Sequence, residues 1–202
     1  MSFAKKMARK KINKMRKDAD AGNRKSSNNR KNVLQSFYQQ NVSDTQIWHD
    51  TICDMMILFC YALHREYGFS KKRLERFYEK AVLTSMCLRG KYVTFPELEK
   101  ILKDEAKYVY PHEEIDNQKY NHANKIRLKT IEEMSIIFYY SIWDVFGYAN
   151  TRLKRLSKCM AAEATAMSEG KLSIADLERA LVEKTGVNFD KDFRHLNAED
   201  IA

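Results

Sequence analysis

At 202 residues the chain is long enough for one domain or two small ones, and six glycines with two prolines favour helices and disfavour an all-β fold. Hydrophobic residues at 44% suffice for a core, while the net charge of +9 sits almost wholly at one end: residues 1–33 hold twelve Lys or Arg against two Asp, and the remainder sums to −1. A nearly neutral body with a cationic arm points to a polyanionic partner.

Residues 1–32 make up that arm and its linker. Lys5, Lys6, Arg9, Lys10, Lys11, Lys14, Arg16 and Lys17 surround a broad, weak apolar side formed by Phe3, Met7, Ile12 and Met15. Like-charge repulsion frays so short a helix in isolation. Arg24, Lys25, Arg30 and Lys31 carry the charge on through a polar, apolar-poor stretch that reads as a flexible linker. The expected role is contact with phosphates, which releases counterions and makes binding salt-dependent. A solvated tail and a basic amphipathic segment on an anionic membrane or partner protein are the alternatives. Phe3 is the sole aromatic of the arm, so base stacking is not its mode.

Residues 33–104 read as a first helical unit. A short helix ends near Asn41, and Ser43 or Asp44 caps the next, over 46–67. That helix is apolar nearly all round, with Ile47, Trp48, Ile52, Met55, Phe59 and Leu63, and belongs at the centre of a core. Gly68 stops it and Phe69 folds back onto its last turn. Ser70 caps a helix over 71–88 with Leu74, Phe77, Ala81, Met86 and Leu88 inward, and Gly90 ends it. Thr94-x-x-Glu97 is a capping box for a third helix, with Pro96 in the permissive first turn.

Residues 105–126 are a polar connector broken at Pro111, and residues 127–190 a second helical unit. Its first helix, from 126 to 146, holds Ile131, Met134, Ile137, Phe138, Ile142 and Trp143. Residues 136–143 have strand propensity, but the flanking spacing is helical. Gly147 ends this helix, and a second follows over 150–168 with Leu153, Leu156, Met160 and Met167 inward. After Gly170, Ser173-x-x-Asp176 caps a third helix over 174–185, closed by Gly186. The chain after Gly186 then docks through Val187, Phe189 and Phe193, and the tail, 191–202, frays beyond that last contact.

The two units align at a spacing of 79 residues. Met55, Ile57, Phe59 and Tyr61 face Met134, Ile136, Phe138 and Tyr140. Gly68 faces Gly147, and Arg73, Leu74 and Arg76 recur as Arg152, Leu153 and Arg155. Thr94 and Glu97 return as Ser173 and Asp176. Residues 80–92 match poorly. The expected fold is therefore all-α: duplicated three-helix units packed as a pseudo-symmetric domain, with 46–67 against 126–146, and a basic flexible N-terminal arm.

No catalytic machinery is legible. The phosphate-binding GxxxxGK[ST] and GxGxxG patterns and the nucleophile pattern GxSxG are absent. His112-Glu113-Glu114-Ile115-Asp116 has Asp where a zinc site needs its second His. His49, Cys53, Cys60 and His64 share one helical stripe, but they span about 22 Å and cannot close on one ion. Their counterparts 79 residues on include Tyr139 and Trp143, which speaks for packing. The acids Glu97, Glu99, Asp104, Asp176, Glu178 and Glu183 repel phosphate, so the third helices do not read bases. No metal or cofactor is expected.

Arg73, Arg76, Arg152 and Arg155 remain as two quasi-equivalent basic spots for a phosphate backbone or an acidic partner. Solvated turns paired locally with Glu75 or Glu79 are the plainer alternative. The four cysteines lack CxxC spacing and read as reduced thiols. No apolar h-region follows the basic start, and the best apolar run, 55–63, is shorter than the roughly 20 residues a span needs. A cytoplasmic location is expected. The function expected is a non-catalytic nucleic-acid-associated binding protein that contacts phosphates through the arm, with a helical body for protein or backbone contacts. The alternative is a protein-binding module or inhibitor, such as a phage or mobile-element accessory protein that blocks a host nucleic-acid-binding complex.

Overall fold

The computed structural model describes residues 43–112 and 120–189. The chain divides between Gln46 and Ile47. Residues 43–46 of the first unit are helical, and the second unit, from Ile47 onward, holds the core. The arm, the expected helix before Asn41, residues 113–119 and the tail with Phe193 lie outside the described residues.

Described residues are all-helical, without a strand: α1 (43–67), α2 (Lys71–Arg89), α3 (Phe95–Asp104), α4 (His122–Phe146), α5 (Asn150–Ser168) and α6 (Ile174–Thr185). No helix among them is long and apolar enough to cross a membrane. The run 136–143 lies inside α4, so helical spacing wins over strand propensity there.

The core forms where the two most apolar helices meet. Phe59 of α1 is fully buried. Its ring touches Phe138 of α4 at 4.9 Å, Phe77 of α2 at 5.2 Å and Tyr139 at 5.5 Å. Each such ring contributes about 1.5–3 kcal/mol on leaving water. α4 also packs against α2 and α3. Ion pairs cross at the surface: Arg65 of α1 with the buried Glu163 of α5, and Lys80 of α2 with Asp144 of α4 at 2.7 Å.

Element boundaries repeat. α5 begins and ends 79 residues after α2, and α6 begins 79 residues after α3. Gly68 and Gly147 hold φ of 62° and 64°, a left-handed turn that suits glycine. Thr94 and Ser173 share extended backbones, φ −120° and −121°. At Thr94 the Glu97 carboxylate accepts the backbone N–H and the hydroxyl, each at 2.8 Å. At Ser173 the Asp176 carboxylate accepts the same two groups, at 3.1 and 2.6 Å.

Several expectations change in detail. α2 runs one residue further, and Gly90 has an ordinary helical φ of −70°; the left-handed residue is Lys91, at 58°. A Cβ at Gly90 would lie 2.6 Å from the ring of Tyr92, a side chain 87% exposed that has room to turn aside. Met86 is 48% exposed, since the buried face of α2 runs through Leu74, Phe77, Ala81 and Thr84 and carries Met86 outward. Ile131, expected inside, is 36% exposed. Ser70 stands at the start of α2 but makes no side-chain cap bond. α4 starts earlier than expected, because the Asn121 side chain accepts the Asn124 N–H at 2.9 Å.

The connector is not purely polar. Ala106 and Tyr108 are buried, the Tyr108 N–H reaches the Leu102 carbonyl at 2.9 Å, and the Ala106 carbonyl accepts from Asn150 N–H at 2.8 Å. Past α6, Val187 and Phe189 are buried as expected.

Candidate nucleic-acid interface

The site grows from the two glycine turns. The Gly68 N–H returns to the His64 carbonyl and the Gly147 N–H to the Trp143 carbonyl, both at 2.8 Å. Each helix therefore closes its last turn and reverses direction, and the next residue but one to the helix end, Phe69 or Tyr148, drops into the core. His64 Nδ1 lies 2.9 Å from the Phe69 carbonyl and pins the first turn.

Four rings then meet. Tyr67 contacts Tyr148 at 4.8 Å and an interplanar angle of 69°; Phe69 contacts Phe146 at 4.8 Å and 62°. Phe69 and Phe146 each also approach Tyr148, at 6.1 and 6.2 Å. Under the 79-residue offset Tyr67 corresponds to Phe146, and Phe69 to Tyr148. The two closest contacts are thus the same contact with the halves exchanged. The Tyr67 hydroxyl donates to the Arg152 carbonyl at 2.6 Å, and burial pushes its pKa up.

All four arginines singled out in the sequence converge on this clasp. Arg73 stacks on Phe69 at 3.8 Å, lies 5.2 Å from Phe146 and donates to the Tyr148 hydroxyl at 3.1 Å. Arg152 covers Tyr148 at 4.7 Å. Arg76 lies 5.4 Å from Phe146, and its counterpart Arg155 lies 6.0 Å from Tyr67, again one contact with the halves exchanged. A guanidinium stacked on a ring is held by its face, leaving edge N–H groups to meet carboxylate or phosphate.

The local ion pairs differ from the plainer alternative. Glu75 pairs with Lys71 at 3.9 Å. Arg155 is tied to Glu66 at 2.5 Å, a hydrogen bond that raises its pKa. α2 and α5 have no acid in their first turns. The exposed Lys72 stands on α2 with Arg73 and Arg76, and the exposed Lys154 and Lys158 on α5 with Arg152 and Arg155. None of the three recurs at the 79-residue spacing: Lys72 corresponds to Thr151, and Lys154 and Lys158 correspond to Glu75 and Glu79. The structure thus gathers Arg73, Arg76, Arg152 and Arg155 on one clasp. Lys5, Lys6, Arg9, Lys10, Lys11, Lys14, Arg16, Lys17, Arg24, Lys25, Arg30 and Lys31 lie outside the described residues.

Other candidates resolve into structure. His49 Nδ1 lies 3.9 Å from Cys53 Sγ, while the buried Cys60 thiol faces the Met56 sulfur at 3.9 Å and is pushed far up in pKa by burial. His112 bridges two helices, with Nδ1 2.5 Å from Glu132 of α4 and Nε2 3.3 Å from Glu99 of α3. Glu97 and Asp176 are held by their caps, which lower their pKa values through hydrogen bonds from Thr94 and Ser173.

Two grooves flank the core. One, about 260 Å³, is lined by Trp48, Leu88, Phe95, Met134 and Ile137, with Glu133 at its side. The other, about 470 Å³, is lined by Met55, Leu58, Met160, Met167 and Ile174, with Asp54 and Arg127. They are counterparts at the 79-residue offset, and Trp48 in the smaller matches Arg127 in the larger. Burial raises the pKa of both Asp54 and Glu133. Comparison with protein families, with curated proteins and with solved structures finds no match.

Proposed function

We propose that the protein is a non-catalytic nucleic-acid-associated binding protein, in which the arm of residues 1–32 and the arginine clasp contact phosphates. One observation carries this reading: Arg73, Arg76, Arg152 and Arg155, far apart in sequence, meet over a single four-ring cluster. Cations brought together by a fold repel one another, and an anionic partner relieves that cost. The charge of residues 1–33 supports the same partner class.

We infer further that the chain is an internal duplication, 33–104 and 127–190, and that from Ile47 onward the two copies pack about a pseudo-twofold axis passing between Phe59 and Phe138. The repeated helix bounds, the twin grooves and the exchanged ring contacts support this. Cys53, Cys60, Cys87 and Cys159 are not joined in disulfides, which suits a cytoplasmic setting. A second reading, a protein-binding module or inhibitor that occupies a nucleic-acid-binding complex, is favoured by the larger groove, whose methionines adapt to varied apolar side chains.

The test is binding of DNA and RNA across salt by the full chain, by the chain lacking residues 1–33, and by the Arg73/Arg76/Arg152/Arg155→Gln variant. The affinity of the full chain is expected to fall steeply with salt. Each change should flatten the slope on duplex by about 0.9 for every phosphate it leaves unneutralised. Absence of binding at low salt would overturn the reading and leave the protein-binding one.

A further inference from the structure

We infer that the nucleic acid engaged at the clasp is double-helical, held across its two backbones and not through its bases. This rests on the nucleic-acid reading above and narrows it.

Symmetry is the first ground. The Arg76–Phe146 and Arg155–Tyr67 contacts are one interaction repeated about the pseudo-twofold axis, and so are Tyr67–Tyr148 and Phe69–Phe146. Arg73 on Phe69 and Arg152 on Tyr148 are likewise counterparts. Each copy therefore places a pair of arginines on the clasp, reversed in direction, with Arg155 in one of them tied to Glu66. The strands of a duplex are antiparallel, and local twofold axes relate them, which is why dyad-symmetric proteins and duplex sites match. A single strand has one polarity and would meet the two copies in opposite senses.

Stacking is the second ground. Proteins that hold single strands place bases on exposed aromatic faces, at about 1–3 kcal/mol per base. The rings beside these arginines are already used. Phe69 is fully buried and Tyr148 nearly so. Tyr67 and Phe146 are partly buried and packed edge-on against them. The rings meet one another and the guanidinium groups of Arg73, Arg76, Arg152 and Arg155. What the clasp offers outward is guanidinium N–H donors and not a stacking surface, and such donors meet the phosphate oxygens of a backbone.

Arg76 and Arg152 are the residues to change, one from each copy. Both are exposed, whereas Arg73 holds the Tyr148 hydroxyl and Arg155 holds Glu66. The full chain, the single variants Arg76→Gln and Arg152→Gln, and the double variant are titrated with DNA and RNA duplexes of about 20 base pairs and with their separated strands, over a range of salt. Thermal melts establish that each variant is folded.

Duplex is expected to bind at least about ten-fold tighter than either strand. Each substitution should lower the duplex salt slope by about 0.9, and the double by about twice that. The DNA and RNA arms show which duplex the clasp prefers. Single strands binding as tightly as duplex would overturn the inference and leave the broader reading standing. Tight duplex binding whose slope ignores both arginines would also overturn it, placing the contact in the arm. No nucleic-acid binding at all would remove both and point to an acidic protein partner.

Discussion

Gly68 and Gly147 show how single residues set this site. Both adopt a left-handed φ, and at neither would a Cβ meet any atom within 4 Å. Any penalty for alanine is then backbone strain alone, roughly 1–2 kcal/mol. Gly68→Ala and Gly147→Ala should each lower the unfolding free energy by that amount, read as a lower urea midpoint with the slope unchanged. A midpoint that stays put in both would show that these turns do not require glycine. The glycines were legible as stops because each follows an apolar helix and precedes an aromatic. Gly90 likewise stands at the end of α2, as expected, but by another route. Its own φ is helical and the left-handed residue is Lys91, which no local pattern announces.

Between elements, His112 ties the connector to α3 and α4. Its hydrogen bond to Glu132, with added pull from Glu99, raises the imidazole pKa above its ordinary 6.5. A raised folded-state pKa contributes stability that is fully present below the unfolded value and lost as pH rises through the folded one. The stability difference between the native chain and His112→Gln should therefore be larger at pH 5.5 than at pH 8. Denaturant titrations at both values measure it, and an equal difference would disprove the bridge in solution. His112 drew notice in the sequence only as a failed zinc motif. Its partners stand 13 and 20 residues away on different helices, so the bridge could be seen only after folding. The capping boxes at Thr94 and Ser173 were legible beforehand, because both partners lie three residues apart on one turn.

For the whole molecule, the ring of Phe59 joins the two halves through Phe77 on one side and Phe138 with Tyr139 on the other. Phe59→Ala should cost about 3–5 kcal/mol. Trp48 and Trp143 lie one in each half, so variants keeping only one tryptophan report each half separately. Both signals should move to the same new midpoint. If only the Trp48 signal shifted, the halves would be independent units and the shared core would be refuted.

The all-helical fold, the helix order and the two capping boxes were determined by the sequence itself. They rest on interactions within a turn or two, or on apolar periodicity, and both are local. Tertiary structure alone decided that four arginines from distant turns share one ring cluster. The sequence held Arg73, Arg76, Arg152 and Arg155 as two separate spots, because nothing local says which helix ends meet. Burial of Phe59 against Phe138 brings α1 and α4 together, and their ends carry both glycine turns, and with them both arginine pairs, to one place.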